Sequence, residues 1–203
     1  MNEMNDTNNE NNMTSAKIAK LSRAFDIRPA KQWMAEAANR PNPKSLWLSL
    51  WYENEVACLF ADTNMGKSIY AVQIAEHVSQ EQKVLYFDFE MTDKQFQLRY
   101  TDAETGKLHD FNDNLLRVEL SPVYVDLSNI HSIISHISDA VDISGARVII
   151  IDNITWICNR AESGDAAGEL MQMLIDLKRR KGLSILVLAH TPKRNTCLLY
   201  TSP

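Results

Sequence analysis

Residues 56–78 read VACLFADTNMGKSIYAVQIAEHV, and this stretch decides the fold. Val56–Phe60 is a short apolar run suited to a buried strand, IYAVQIAEHV is compatible with a helix, and ADTNMGKS lies between them. That sequence is the phosphate-binding loop GxxxxGK[ST], with Ala61 replacing its first glycine, in the strand-then-helix context the motif requires. Backbone N–H groups of such a loop converge on phosphate oxygens at a helix N-terminus, where the aligned peptide dipoles leave roughly +0.5 charge. Ala61, Asp62, Thr63, Asn64, Met65, Gly66, Lys67 and Ser68 are therefore expected to cradle a nucleoside triphosphate. Lys67 would reach the β- and γ-phosphates, and the Ser68 hydroxyl would ligate Mg2+. Gly66 stands where a Cβ would obstruct close approach, and Ala61 is acceptable if that position keeps a negative φ. A chance turn carrying Gly-Lys-Ser is the alternative, and the flanking strand and helix argue against it.

Further short apolar runs follow: Lys83–Phe89, Leu115–Leu120, Arg147–Ile151 and Leu183–Ala189. Each suits a strand buried on both faces. Between them, Ile130, Ile133, Ile134, Ile137 and Val141 share one helical face, as do Leu170, Met173, Leu174 and Leu177. Five strands alternating with helices predict an α/β fold, a mostly parallel sheet with helices on both faces. The site of such a sheet lies beyond the carboxyl ends of its strands.

Three strand ends carry chemistry. Val148-Ile149-Ile150-Ile151-Asp152 ends in an acid that can hold Mg2+ beside the phosphate loop; alone it would pass for an ordinary strand terminus, and the loop favours the metal reading. Many ATPases place a Glu directly after that Asp to handle water, but here Asn153 follows. Glu90, at the end of LYFDFE, is the better candidate for orienting or deprotonating water. Its bland alternative is a neighbour of the cap of a helix over 92–103, for which Thr92 is the better cap. Asp88 competes as an acid but lies deeper, on the same strand face. His190, at the end of Leu186-Val187-Leu188-Ala189-His190, can hydrogen-bond the γ-phosphate and report its presence, or simply cap a loop.

Composition sets the outer bounds. The 203 residues are 45% hydrophobic and 23% charged, enough for one domain with its own core. A net charge of −5 excludes a uniformly basic nucleic-acid coat, so any such contact must be a local patch. Cys58, Cys158 and Cys197 lack the paired spacing of a zinc site or disulfide framework, which points to a reducing cytoplasm. No apolar run approaches the roughly 20 residues that cross a bilayer. MNEMNDTNNENN, with six Asn and three acids, marks 1–14 as a disordered tail. Residues 15–45 read as a helical segment and linker: Ile18, Leu21 and Phe25 recur at helical spacing, and Pro29 must interrupt that helix or begin a second. The core is expected over 46–196, entered through the aromatic stretch Leu46–Tyr52.

Together, ADTNMGKS, FDFE, VIIID and VLAHTPKR resemble the RecA-like ATPases, and more narrowly the RepA-like helicase branch with the AAA-family ATPases of bacterial mobile elements. The lead-in PNPKSLWLSLWYENEVACLFADTN is similar too, and the resemblance runs from about Pro41 to Arg194. It implies a RecA-like P-loop fold, ATP bound with Mg2+ at a subunit interface, a homo-oligomeric ring or filament, and single-stranded DNA as partner. It also implies Glu90 as the catalytic glutamate, His190 as the sensor, and Lys67, Ser68 and Asp152 in the roles above. Arg99 falls where relatives often carry an arginine, although a salt bridge on a solvated face would explain it equally. Relatives continue past HTPKR with further strands, a DNA-facing loop and an arginine finger. Here Cys197-Leu198-Leu199-Tyr200-Thr201-Ser202-Pro203 resembles a translated sequencing adapter, so 197–203 is read as an artefact and the fold as incomplete at its C-terminus. The leading functional reading is an ATP-hydrolysing core of a replication or mobilisation helicase-type protein acting on DNA. A nucleotide-dependent interaction switch, a loader or regulator that does not translocate, is the alternative. A small-molecule kinase is disfavoured by Glu90 and the His-terminated strand.

Overall fold

In the computed structural model, which describes residues 26–121, 123–126, 128–158 and 166–190, the apolar runs form five parallel strands whose alternate residues face opposite sides. They are β3 (Val56–Ala61), β4 (Val84–Asp88), β5 (Leu115–Val118), β6 (Val148–Asp152) and β7 (Ser184–His190), in the order β3-β7-β6-β4-β5. Leu85, Phe87, Ile149, Ile151, Ile185 and Val187 point to one face. There α4 (Ile130–Ser144) and α6 (Ala166–Lys181) cover them with Ile133, Ile137, Val141, Leu170, Leu174 and Leu177. Val84, Tyr86, Val148, Ile150, Leu186 and Leu188 point to the other face, beneath Ala71, Val72, Ile74 and Val78 of α2 (Lys67–Ser79). The expected α/β fold with helices on both faces is thus the observed one. Full burial of such side chains contributes about 1.5–3 kcal/mol each before entropy is counted, which is why the sheet centre holds the site in place.

The lead-in 46–52 is a small antiparallel hairpin, β1 (Ser45–Trp47) and β2 (Trp51–Tyr52). Leu46 and Trp51 are buried with α2, and the Trp47 indole N–H donates to the Tyr70 hydroxyl at 2.8 Å. The helix expected over 92–103 is shorter: α3 spans Asp93–Arg99. Thr92 opens it through a reciprocal capping box with Gln95. At Tyr100 the backbone leaves helical geometry, its ring packs on Phe96 and Phe111, and the chain doubles back through a Thr101–Leu108 bridge. Tertiary packing of one aromatic ring ends the helix four residues early.

Residues 1–42 form a unit separate from 43–203. Its described part holds α1 (Ala30–Ala37), with Pro29 at the N-cap, so the proline begins a helix. Arg28 stacks over the Trp33 ring at 3.7 Å and hydrogen-bonds Asp26 and Glu36. The short helix α5 (Ile154–Cys158) follows β6 directly. The expected tail over 1–14, the helical spacing of Ile18, Leu21 and Phe25, and the segment 191–203 lie outside the described residues. Among the described residues, no helix is long and apolar enough to cross a membrane.

Candidate nucleotide site

The carboxyl ends of β3, β4, β6 and β7 frame a cleft of about 290 Å³, lined by Thr63, Asn64, Gly66, Lys67, Ser68, Glu90, Arg99, Asp152 and His190 among others. Sequence reasoning placed these groups far apart in the chain; the β7-β6-β4 order puts their strand ends side by side. Ala61 is the last residue of β3, paired with His190, and keeps an extended backbone, so the absent first glycine is not needed there. Gly66 caps α2 at φ +81°, a left-handed conformation that disfavours any side chain. A Cβ built there meets nothing within 4 Å, so backbone conformation, rather than crowding within the chain, accounts for this glycine. Asp62 presents its carbonyl, and Met65 turns its side chain outward, 71% exposed.

Lys67 is buried, and its ammonium donates to the carbonyls of Ala61 (2.7 Å) and Asp62 (2.9 Å) and to His190 Nδ1 (3.1 Å). Because Nδ1 accepts, the His190 proton sits on Nε2 and points to Glu90 Oε1, 3.4 Å away. The His190 backbone N–H is held by Thr155 Oγ1 at 3.1 Å. Lys67, His190 and Glu90 are therefore joined in one hydrogen-bonded chain across the cleft.

Below it, Asp152 is 1% exposed. Its Oδ2 accepts from the Tyr86 hydroxyl at 2.7 Å, and the Ser68 hydroxyl also bonds the carboxylate. Burial raises the Asp152 carboxyl above the usual aspartate range, while the Tyr86 and Ser68 hydrogen bonds pull it back. Burial likewise drives the Tyr86 phenol well above its ordinary value. A carboxylate and a hydroxyl joined at the floor of a phosphate-sized cleft are hard oxygen donors of the kind Mg2+ takes, so Ser68 and Asp152 fit that ion.

Asp88, the competing acid, is committed elsewhere. It is buried, ion-pairs with Arg117 Nε at 3.0 Å, and accepts from the backbone N–H groups of Glu90 (3.2 Å) and Met91 (2.9 Å). Arg117 in turn donates to the Met91 carbonyl at 2.6 Å. This knot shapes the turn that carries Glu90 beyond the strand end, with its side chain 40% exposed. Three residues in the site escaped sequence reasoning: Tyr86, Arg117 and Asn153. Tyr86 lies four residues before Glu90 in a strand, and an inward tyrosine in an apolar run is the only local signal it gives. Asn153 is 1% exposed and its amide donates to Glu90 Oε1.

A parallel sheet with a P-loop after β3, the His190-terminated strand β7 beside it, and carboxylates at the ends of β6 and β4 beyond has the RecA-like P-loop ATPase fold. A protein-family model described as AAA domain matches residues 22–196, and the chain belongs to that family. Among solved structures, a KaiC-like protein from the hyperthermophilic archaeon Pyrococcus horikoshii is similar, with a TM-score of 0.52 and 17% identity. The match covers 70% of this chain and 63% of that one, and at this identity it speaks for the fold alone. No curated protein matches the sequence.

Proposed function

We propose that this chain is the ATP-hydrolysing core of a replication or mobilisation helicase-type protein that acts on single-stranded DNA as a homo-oligomeric ring. The observation that carries the ATPase reading is the hydrogen-bonded chain Lys67–His190–Glu90, with Asp152 and Ser68 beneath it. ATP would lie along the 61–68 loop with its γ-phosphate against Lys67. Glu90 would orient the attacking water, a role in which a positioned acid or base contributes roughly 10²–10⁴-fold. Ser68 and Asp152 would hold Mg2+, which would supply charge neutralisation at the phosphates. His190 touches both the phosphate-binding lysine and Glu90, so displacement of Lys67 from His190 by phosphate would be felt at Glu90. The DNA and ring readings rest on the resemblance of the four motifs to RepA-like helicases.

The test is ATP turnover with and without single-stranded DNA. Strong stimulation by DNA is expected of the motor; turnover that ignores DNA would point to the nucleotide-dependent switch, and phosphate delivered to an acceptor other than water would overturn both.

A further inference from the structure

We propose that Asn153 is a positioning residue that fixes the Glu90 carboxylate for its work on water. The inference rests on the reading of Glu90 as the group that orients the nucleophile. Asn153 occupies the position directly after Asp152, at the carboxyl end of β6, and is almost wholly buried. Its two amide atoms have separate duties. Oδ1 accepts from the Trp156 backbone N–H at 2.9 Å, which caps α5 and fixes the orientation of the amide plane. With Oδ1 so committed, Nδ2 is the atom turned toward Glu90, and it donates to Glu90 Oε1.

His190 Nε2 also lies 3.4 Å from that same Oε1, and 3.2 Å from Asn153 Nδ2. Nε2 and Nδ2 both carry protons in this arrangement, so their mutual contact is two donors aimed side by side at one acceptor. Two donors on Oε1 orient the carboxylate and leave Oε2 as the oxygen able to accept from water; among the described residues Oε2 has no hydrogen-bond partner. A carboxylate that must accept a proton or a hydrogen bond from water needs one oxygen anchored and one available, and this arrangement supplies both. Glu90 is 40% exposed and sits on a turn, so burial does not fix its rotamer. The anchor has to come from a rigid neighbour, and the buried end of β6 is one.

Asn153→Asp and Asn153→Ser test this in the 203-residue chain. Asp keeps an acceptor for the Trp156 N–H but replaces the donor facing Glu90 with an oxygen that repels it. Ser can still cap α5 yet is too short to reach Glu90. Asn153→Asp is expected to lower kcat by about 10–100-fold, the range for losing a residue that orients a site ligand, while fluorescent-ATP affinity changes less than about threefold. Asn153→Ser should lower kcat less and keep the unfolding midpoint. In the nucleotide-free protein, the Asn153 side-chain amide proton resonance should move upfield in Glu90→Ala, a readout that does not depend on turnover. An amide signal indifferent to Glu90→Ala, or wild-type kcat in Asn153→Asp beside an inactive Glu90→Gln, would leave Asn153 a helix cap and overturn the proposal. Wild-type turnover by Glu90→Gln is a different failure: it removes Glu90 from the chemistry and with it the function proposed above.

Discussion

The inner and outer walls of the cleft are built differently. Lys67, Asp152 and Tyr86 on the inner wall are buried, with Tyr86 donating to Asp152 and Lys67 to the Ala61 and Asp62 carbonyls, whereas Glu90 and His190 on the outer wall are 40% and 26% exposed at the side chain. The inner groups owe their positions to the sheet and the start of α2, so they are set before any ligand arrives. The outer groups owe theirs to a turn, a strand end and Asn153. On the proposed function the inner wall would hold phosphate and metal, and the outer wall would act on the water that attacks the γ-phosphate.

Glu90→Gln should separate the walls most sharply. Turnover is expected to fall by about 10²–10⁴-fold with nucleotide affinity retained, measured by phosphate release beside fluorescent-ATP binding; loss of binding instead would show that the outer wall also holds substrate. Lys67→Ala should do the reverse, costing about 2–5 kcal/mol of binding by removing one partner of a buried charge pair, so that titration with nucleotide shows no saturation at concentrations that saturate the wild type. Arg117→Ala strips Asp88 of its partner. Breaking a buried pair costs about 3–5 kcal/mol; with Arg117 partly exposed the lower end is expected, seen as a reduced denaturant midpoint.

Asp152→Asn gives a smaller effect with opposite signs on function and stability. Burial raises the Asp152 carboxyl above its unfolded value, so ionising it opposes folding, and this residue's contribution to stability grows as pH falls through the raised value. Asn removes that penalty. The nucleotide-free protein is expected to melt a few degrees higher near neutral pH, with the gain shrinking as the medium is acidified, while Mg2+-dependent affinity for ATP falls. A lower melting temperature would mean that the hydrogen bonds from Tyr86 and Ser68 outweigh desolvation. The smallest change belongs to Thr92→Ala, which lies two residues past Glu90 but outside the cleft lining: loss of the capping box should cost about 1 kcal/mol and leave nucleotide affinity unmoved.

Particular residues show what was readable in advance. Ile149 and Ile151 against Val148 and Ile150 alternate between the two faces of a sheet because strand geometry has a period of two, which is a property of adjacent residues. Gly66, Lys67 and Ser68 are equally local: a loop that binds phosphate with backbone N–H groups needs them consecutive. Thr92 with Gln95 is legible as a capping box for the same reason. Tyr100 is not, since its departure from the helix depends on Phe111, brought close only by the return of the chain. Nor is the partner of Asp88: its position two residues before Glu90 places it deeper, but only the sheet brings Arg117 on the neighbouring strand β5 to pair with it.

The amino-acid sequence by itself therefore determined the alternation of strands and helices, the phosphate loop and the acid or histidine at three strand ends, because each depends on residues within a few positions of one another. The tertiary structure alone decided that Tyr86 holds Asp152, and that Asn153 and His190 meet on one oxygen of Glu90. Those pairings join residues 37 to 100 positions apart, and only the order of strands in the sheet makes them neighbours.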